Sequence, residues 1–187
     1  MPDPILPALL REVARKGHSV FTSGDWNLNL VVQRSNERQA GAEDDLLSVV
    51  YKDGGRWIDR SFPCSADPGR KALAERKNPL GVAIIAEGQY RGSHQIGLHR
   101  GRRALVQVGP VTVARDGDRD SLLEPGVKYT GLFGINIHDD AGVGAEASEG
   151  CVVLEKKDMD AVLSLCDQAV GAGFKNLFTL TVISVTP

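Results

Sequence analysis

Apolar positions change their spacing along the chain, and each change marks an element. Ile5, Leu6, Leu9, Leu10 and Val13 fall near a 3.6-residue period and Gly17 follows as a stop, which predicts a short amphipathic helix over 5–16. From Gly24 the spacing shortens. Leu28 to Arg34 and Leu46 to Tyr51 read as strands, and Lys52-Asp53-Gly54-Gly55-Arg56 as a hairpin turn into Trp57-Ile58, the start of a β meander. Ser61 to Gly69 reads as a loop containing the turn Ala66-Asp67-Pro68-Gly69. Val82 to Ala86 is a short strand, and Gln89 to His99 a polar segment that ends on a histidine. Arg100-Gly101-Arg102 then turns the chain into the apolar run 104–108, which Gly109-Pro110 separates from 111–115. Lys156 to Ala172 carries Met159, Val162, Leu163, Leu165, Cys166, Ala169 and Val170 at helical spacing, and Leu177 to Val185 alternates as a strand.

Short strands joined by Gly and Asp turns at a spacing of roughly 8–12 residues predict a mainly β (α+β) fold, a sandwich or small barrel. One helix stands near each end of it, the second after Cys151. The 187 residues suffice for a single domain, 1–187, with 1–20 as an N-terminal helical appendage. A net charge of −2 argues against a nucleic-acid partner, which normally calls for a basic surplus; Arg100, Arg102 and Arg103 form only a local cluster. No window approaches the ~18 apolar residues of a membrane span. The first residues lack a basic region followed by a long apolar run, so no secretory signal is expected there.

Three cysteines, Cys64, Cys151 and Cys166, are too few and too far apart for a disulfide framework or a paired zinc spacing. Cys166 belongs to the apolar helix face, and Cys64 has no neighbouring histidine, so both read as structural. Cys151 is different. The run Gly131 to Ile137 reads as a strand that delivers His138 at its end, a loop of small and acidic residues spans 139–147, and Ser148-Glu149-Gly150-Cys151 closes it ahead of a strand at 152–154. An imidazole and a thiol at the two mouths of one loop are what a thiol nucleophile needs: a base for its proton and turn N–H groups for a developing oxyanion.

In that reading Cys151 is the nucleophile and His138 its base. Gly150 and Cys151 supply the N–H groups, Gly150 also letting substrate approach the main chain, and Ser148 holds the loop's shape. The group that orients His138 is Asp139, Asp140 or a backbone carbonyl. Tyr90, His99, Asp139 and Glu149 are candidates for lining the substrate cleft, and Gln107 lies either on the solvent face or in the pocket. His138, Cys151 and the acids between them are all possible metal ligands, but no two of His94, His99 and His138 have an H-x-x-x-H spacing, so no metal or cofactor is expected.

The pattern Ile137-His138, short loop, Ser148-x-Gly150-Cys151 resembles the signature of the L,D-transpeptidase (YkuD-like) family, whose members carry I-H-G followed by S-H-G-C. Asp139 stands where the family usually has Gly and Glu149 where it has a second His, as in a divergent member. The turn at 66–69 looks like the T-P-x-G segment that precedes the family's catalytic region. The resemblance spans about 67 to 154, its specific part 135–154. It implies a mostly β catalytic domain whose Cys151 takes an acyl group from a peptidoglycan stem peptide and passes it to an amine or to water, without a metal. Such a protein, made in the cytoplasm without a signal, would reach the periplasm or cell wall by another route, as a phage or secreted lytic protein does. Two other readings stand beside it: an inactive β-rich binding or structural module, and a thiol hydrolase acting on a non-peptidoglycan amide.

Overall fold

A computed structural model of the protein describes residues 5–36, 39–75, 77–118, 120, 127–142 and 144–184. Its elements run α1 (Ala8–Arg15), β1 (Asn29–Arg34), β2 (Asp45–Asp53), β3 (Arg56–Cys64), α2 (Arg70–Ala74), β4 (Val82–Ile85) and β5 (Gly88–His99). There follow β6 (Arg102–Gln107), β7 (Val111–Asp116), β8 (Tyr129–Gly131), β9 (Ile137–Asp139), β10 (Val152–Leu154), α3 (Lys156–Gly171) and β11 (Phe178–Ser184). The fold is mainly β. Eight strands form one sheet in the order β10-β9-β6-β5-β11-β1-β2-β3, and β4-β7-β8 form a second.

The larger sheet curls until its two edges touch. Ser65, just past β3, bridges Val153 of β10: the Ser65 N–H donates to the Val153 carbonyl at 2.8 Å and the Val153 N–H to the Ser65 carbonyl at 2.9 Å. Edges that meet leave fewer backbone groups to pair with another chain. The expected meander holds for β1-β2-β3, but β1 also pairs in parallel with β11, so the first and last strands are adjacent in the middle of the sheet.

Within β1 and β11 the alternation of faces builds two cores. Leu30, Val32, Leu180 and Val182 join the main core together with Val162, Cys166 and Ala169 of α3 and Val111 and Val113 of the small sheet. Val31 and Ile183 point the other way, against Val13 and Leu9 of α1. That is the amphipathic face read from the helical period, now seated on a sheet. Among the described residues no helix is long and apolar enough to cross a membrane.

Three segments differ from their sequence reading. The polar segment 89–99 is the long strand β5, hydrogen-bonded to β11 on one side and β6 on the other. Its polar residues are tolerated inside because they find partners: the buried Ser93 hydroxyl donates to the Tyr90 carbonyl at 2.9 Å, and the His94 Nε2–H to the Ile135 carbonyl at 2.9 Å. Burial pulls His94 down to about 4, so it is neutral. Next, β3 continues to Cys64 in unbroken register with β2 instead of ending at 61; as an edge strand it accommodates Pro63, which has no N–H to give. Finally, 131–137 is not one strand. It is β8, an irregular stretch and β9, so His138 lies within a short strand and not beyond one.

The loop after β3 is fixed by a buried cation. Arg34, at the end of β1, has no exposed surface; it donates to the Ile85 carbonyl and the Ala66 carbonyl, both at 2.6 Å, and to the Asp67 carboxylate at 2.8 Å. Asp45 of β2 takes the Ala66 N–H at 2.7 Å, so both backbone polar groups of Ala66 are held. Removing one partner of a buried pair strands the other charge and typically costs 3–5 kcal/mol. Arg34→Met is therefore expected to lower stability by about 3–5 kcal/mol in a denaturant titration. Arg34→Met with Asp67→Leu is expected to recover most of that, and a loss under about 1 kcal/mol in the single variant would show that the pair does not hold the loop.

Candidate active site

Register brings the thiol and the imidazole together. β9 and β10 pair in parallel with Val152 opposite Ile137 and Val153 opposite His138. Ile137 and Val152 are fully buried in the core, so by strand alternation His138, Val153 and Cys151 share the other face. All three line a cavity of about 560 Å³, whose walls also carry His99, Arg100, Phe133, Ser148 and Glu149.

The irregular stretch before β9 is held by a side chain in place of a neighbouring strand. Gln107, at the end of β6, accepts the N–H of Phe133 at 3.0 Å and of Ile135 at 2.9 Å, and its amide donates to the carbonyls of Gly109 and Gly131, both at 2.9 Å. Gln107, read from the sequence as lying on the solvent face or in the pocket, is instead a half-buried clamp. It sets Gly134, whose carbonyl accepts the Cys151 S–H at 3.3 Å, while the Asn136 N–H approaches the sulfur at 3.4 Å.

The tautomers of both imidazoles follow from their partners. His138 Nδ1 lies 2.7 Å from the Asp139 carbonyl, which only accepts, so Nδ1 carries the proton and Nε2 keeps its lone pair. A backbone carbonyl, and not a carboxylate, orients the ring. The Gln107 N–H donates to Asn136 Oδ1 at 2.9 Å, which turns the Asn136 amide nitrogen toward His99 Nδ1 at 3.0 Å; His99 Nδ1 is then an acceptor. His99 stacks on His138 with centroids 4.7 Å apart. Burial pulls His138 below its ordinary value, opposed by the Asp139 carbonyl, and burial together with the neighbouring His138 pulls His99 down. Burial pushes the Cys151 thiol up; the Asn136 N–H and the Arg100 charge oppose the shift and Glu149 adds to it. At rest the site holds a neutral thiol beside neutral imidazoles.

The turn before Cys151 is built by close approach. Ser148 Oγ donates to the Cys151 carbonyl at 3.0 Å and accepts the Gly150 N–H at 3.3 Å. That bond removes Gly150 from the pair of amides assigned to an oxyanion. Gly150 has φ 107°, and a β-carbon there would lie 2.1 Å from the Ala83 carbonyl oxygen, so the space it leaves is filled by β4 and not by substrate. Gly69 is required for the same reason: its β-carbon would meet the Glu146 carbonyl at 2.2 Å, and its N–H donates to the Ser148 carbonyl at 2.9 Å. The Asp67-Pro68-Gly69 turn therefore braces the turn that carries the thiol.

The remaining candidates separate. Asp139, largely buried, pairs with Arg102 at 3.2 Å. Glu149 is half-exposed and meets Lys77 at 2.5 Å, a cation 72 residues away that sequence reading missed. Tyr90 does not reach the cavity. It is buried, and its hydroxyl donates to the Ala86 carbonyl at 2.6 Å, because position 90 of β5 faces the core. Cys64 and Cys166 are fully buried, and burial raises both thiols, Cys166 to about 12.

No family model matches the chain, and no curated protein or solved structure matches it.

The resting charge state sets the pH dependence. With the thiol held above its ordinary value, the thiolate fraction rises with pH throughout the neutral range. Iodoacetamide labelling of Cys151 is expected to climb about tenfold per pH unit from about pH 6 to about pH 9, while Cys64 and Cys166 react only on unfolding. A plateau near neutrality would reveal a preformed thiolate–imidazolium pair instead. Glu149→Gln is expected to lower the apparent pKa of Cys151 by only a fraction of a unit, since Lys77 already offsets the exposed carboxylate. An unchanged or raised pKa, read from the same labelling profile, would show that the carboxylate does not act on the sulfur.

Proposed function

We propose that the protein is a cysteine-nucleophile acyl transferase or hydrolase of the L,D-transpeptidase kind, acting on peptidoglycan stem peptides. One observation carries this reading: Cys151 and His138 face a single cavity from adjacent parallel strands, with His138 Nε2 left open by the bond from Nδ1 to the Asp139 carbonyl. The brace between the 66–69 turn and the Ser148 turn supports it, since the resemblance involves both segments.

The chemistry follows from the neutral pair. As Sγ adds to the amide carbon, the thiol proton moves to His138 Nε2; the same proton passes to the departing nitrogen as the C–N bond breaks, leaving a thioester on Cys151. An amine or a water, deprotonated by the freed imidazole, then takes the acyl group. The Cys151 N–H, which has no hydrogen-bond partner among the described residues, is the donor left for the oxyanion. His99 stacks against His138 and fixes its ring plane, which limits the geometries in which Nε2 meets the sulfur. Acting on stem peptides places the site of action in the periplasm or cell wall.

Purified muropeptides incubated with the protein and read by mass spectrometry test the reading. Cys151→Ala is expected to abolish turnover, a loss of about a thousandfold or more, with the circular dichroism spectrum unchanged. Cys64→Ala and Cys166→Ala are expected to retain activity. Full activity in the Cys151 variant, or no product from the wild-type protein, would overturn the proposal.

A further inference from the structure

The two stacked imidazoles have opposite partners at Nδ1. His138 Nδ1 donates to the Asp139 carbonyl at 2.7 Å, so a proton arriving at Nε2 makes that ring a cation with its existing bond kept. His99 Nδ1 instead accepts from the Asn136 amide nitrogen at 3.0 Å. Its one lone pair is occupied, and protonating it would set N–H against N–H. The neighbouring charges do not make this distinction: Arg100, Arg102 and Asp139 act on both rings. Glu149, which acts on the sulfur, is paired with Lys77.

Asn136 cannot turn over to relieve the conflict. It is only 8% exposed, and its Oδ1 accepts the Gln107 backbone N–H at 2.9 Å. Reversing the amide would set its NH2 against that N–H and leave a buried donor unpaired, which is costly. The backbone of β6 thus imposes the orientation of the amide, and the amide imposes the tautomer of His99, with the ring proton on Nε2. With centroids 4.7 Å apart, two imidazolium rings would also repel. The Asn136 backbone N–H lies 3.4 Å from the Cys151 sulfur, so one residue touches both the thiol and the second imidazole.

We propose that Asn136 is a positioning residue that assigns the site's mobile proton to His138. By keeping His99 neutral and protonated on Nε2, it leaves the stacked pair a single available lone pair, that of His138 Nε2. As the bond from Sγ to the substrate carbon forms, the thiol proton moves to that nitrogen. The neighbouring ring has no lone pair to draw it away, so it is returned to the nitrogen that departs. The inference rests on Cys151 and His138 being nucleophile and base.

Asn136→Asp reverses the assignment within the same shape: one carboxylate oxygen still takes the Gln107 N–H, and the other accepts from His99 Nδ1, which makes His99 the cation. Nitrogen-15 spectra of the native imidazoles are expected to show His99 protonated on Nε2, with a hydrogen-bonded lone pair at Nδ1, and titrating below the ordinary value of about 6.5. In Asn136→Asp the proton is expected on Nδ1, the His99 pKa about one unit or more higher, and the His138 pKa lower because a cation forms beside it. Muropeptide turnover by this variant is expected to fall about tenfold or more at about pH 7, with the circular dichroism spectrum unchanged. A native His99 protonated on Nδ1, or a tautomer and titration unchanged in Asn136→Asp, would overturn the proposal. So would full turnover in the variant once His99 is seen to be the cation. The spectra need no substrate: the expected His99 signals without any turnover by the native protein would support the proton placement and overturn only the acyl-transfer reading.

Discussion

The buried guanidinium of Arg34 is the contact on which the site's geometry depends. It ends β1, yet it holds carbonyls from two other parts of the chain, Ile85 at the end of β4 and Ala66 after β3, and the carboxylate of Asp67. Those few residues lead in one direction to Ser65, which closes the curled sheet on Val153, and in the other to Gly69, which supports the Ser148 carbonyl. A charge removed from water is tolerated only when its partners are close and well aimed. Because they are, the seam of the sheet, the edge of the small sheet and the turn carrying the thiol are positioned by one side chain.

Around the thiol, side-chain amides do the work that strands do elsewhere. Gln107 takes the N–H groups of Phe133 and Ile135, and Asn136 links the Gln107 backbone to His99. Such bonds leave the backbone free to bend, which brings the Gly134 carbonyl and the Asn136 N–H to the sulfur. They also define a protonation state. With His138 Nδ1 committed to a carbonyl and burial opposing charge on ring and sulfur, the pair waits as neutral groups and charges only as a bond forms. The proposed acyl chemistry fits a nucleophile of this type, protected from oxidation at rest because the thiolate is scarce.

Much of the local architecture was legible because its cause is local. A 3.6-residue period in α1 and α3, the Gly54-Gly55 hairpin and the alternation in β11 each follow from which face of a short element is buried. His138 and Cys151 were singled out by their places at the two mouths of the 139–147 loop, whereas the parallel pairing that carries both to one face was not legible there. Polar residues in β5 misled, because Ser93 and His94 satisfy their hydrogen bonds inside, through carbonyls that composition does not reveal.

The amino-acid order by itself determined the two long helices and the turns, which depend on near neighbours in the chain. Tertiary structure alone decided that Tyr90 faces the core, that Glu149 meets Lys77, that Gly150 is filled by Ala83, and that Arg34, Gln107 and Arg100 hold or line the site. Each of these is a contact between segments far apart in the chain. Which side chains meet across such distances is set by sheet register and closure, and a shift of one residue in register would send the strand residues among them, Arg34, Tyr90 and Gln107, to the opposite face.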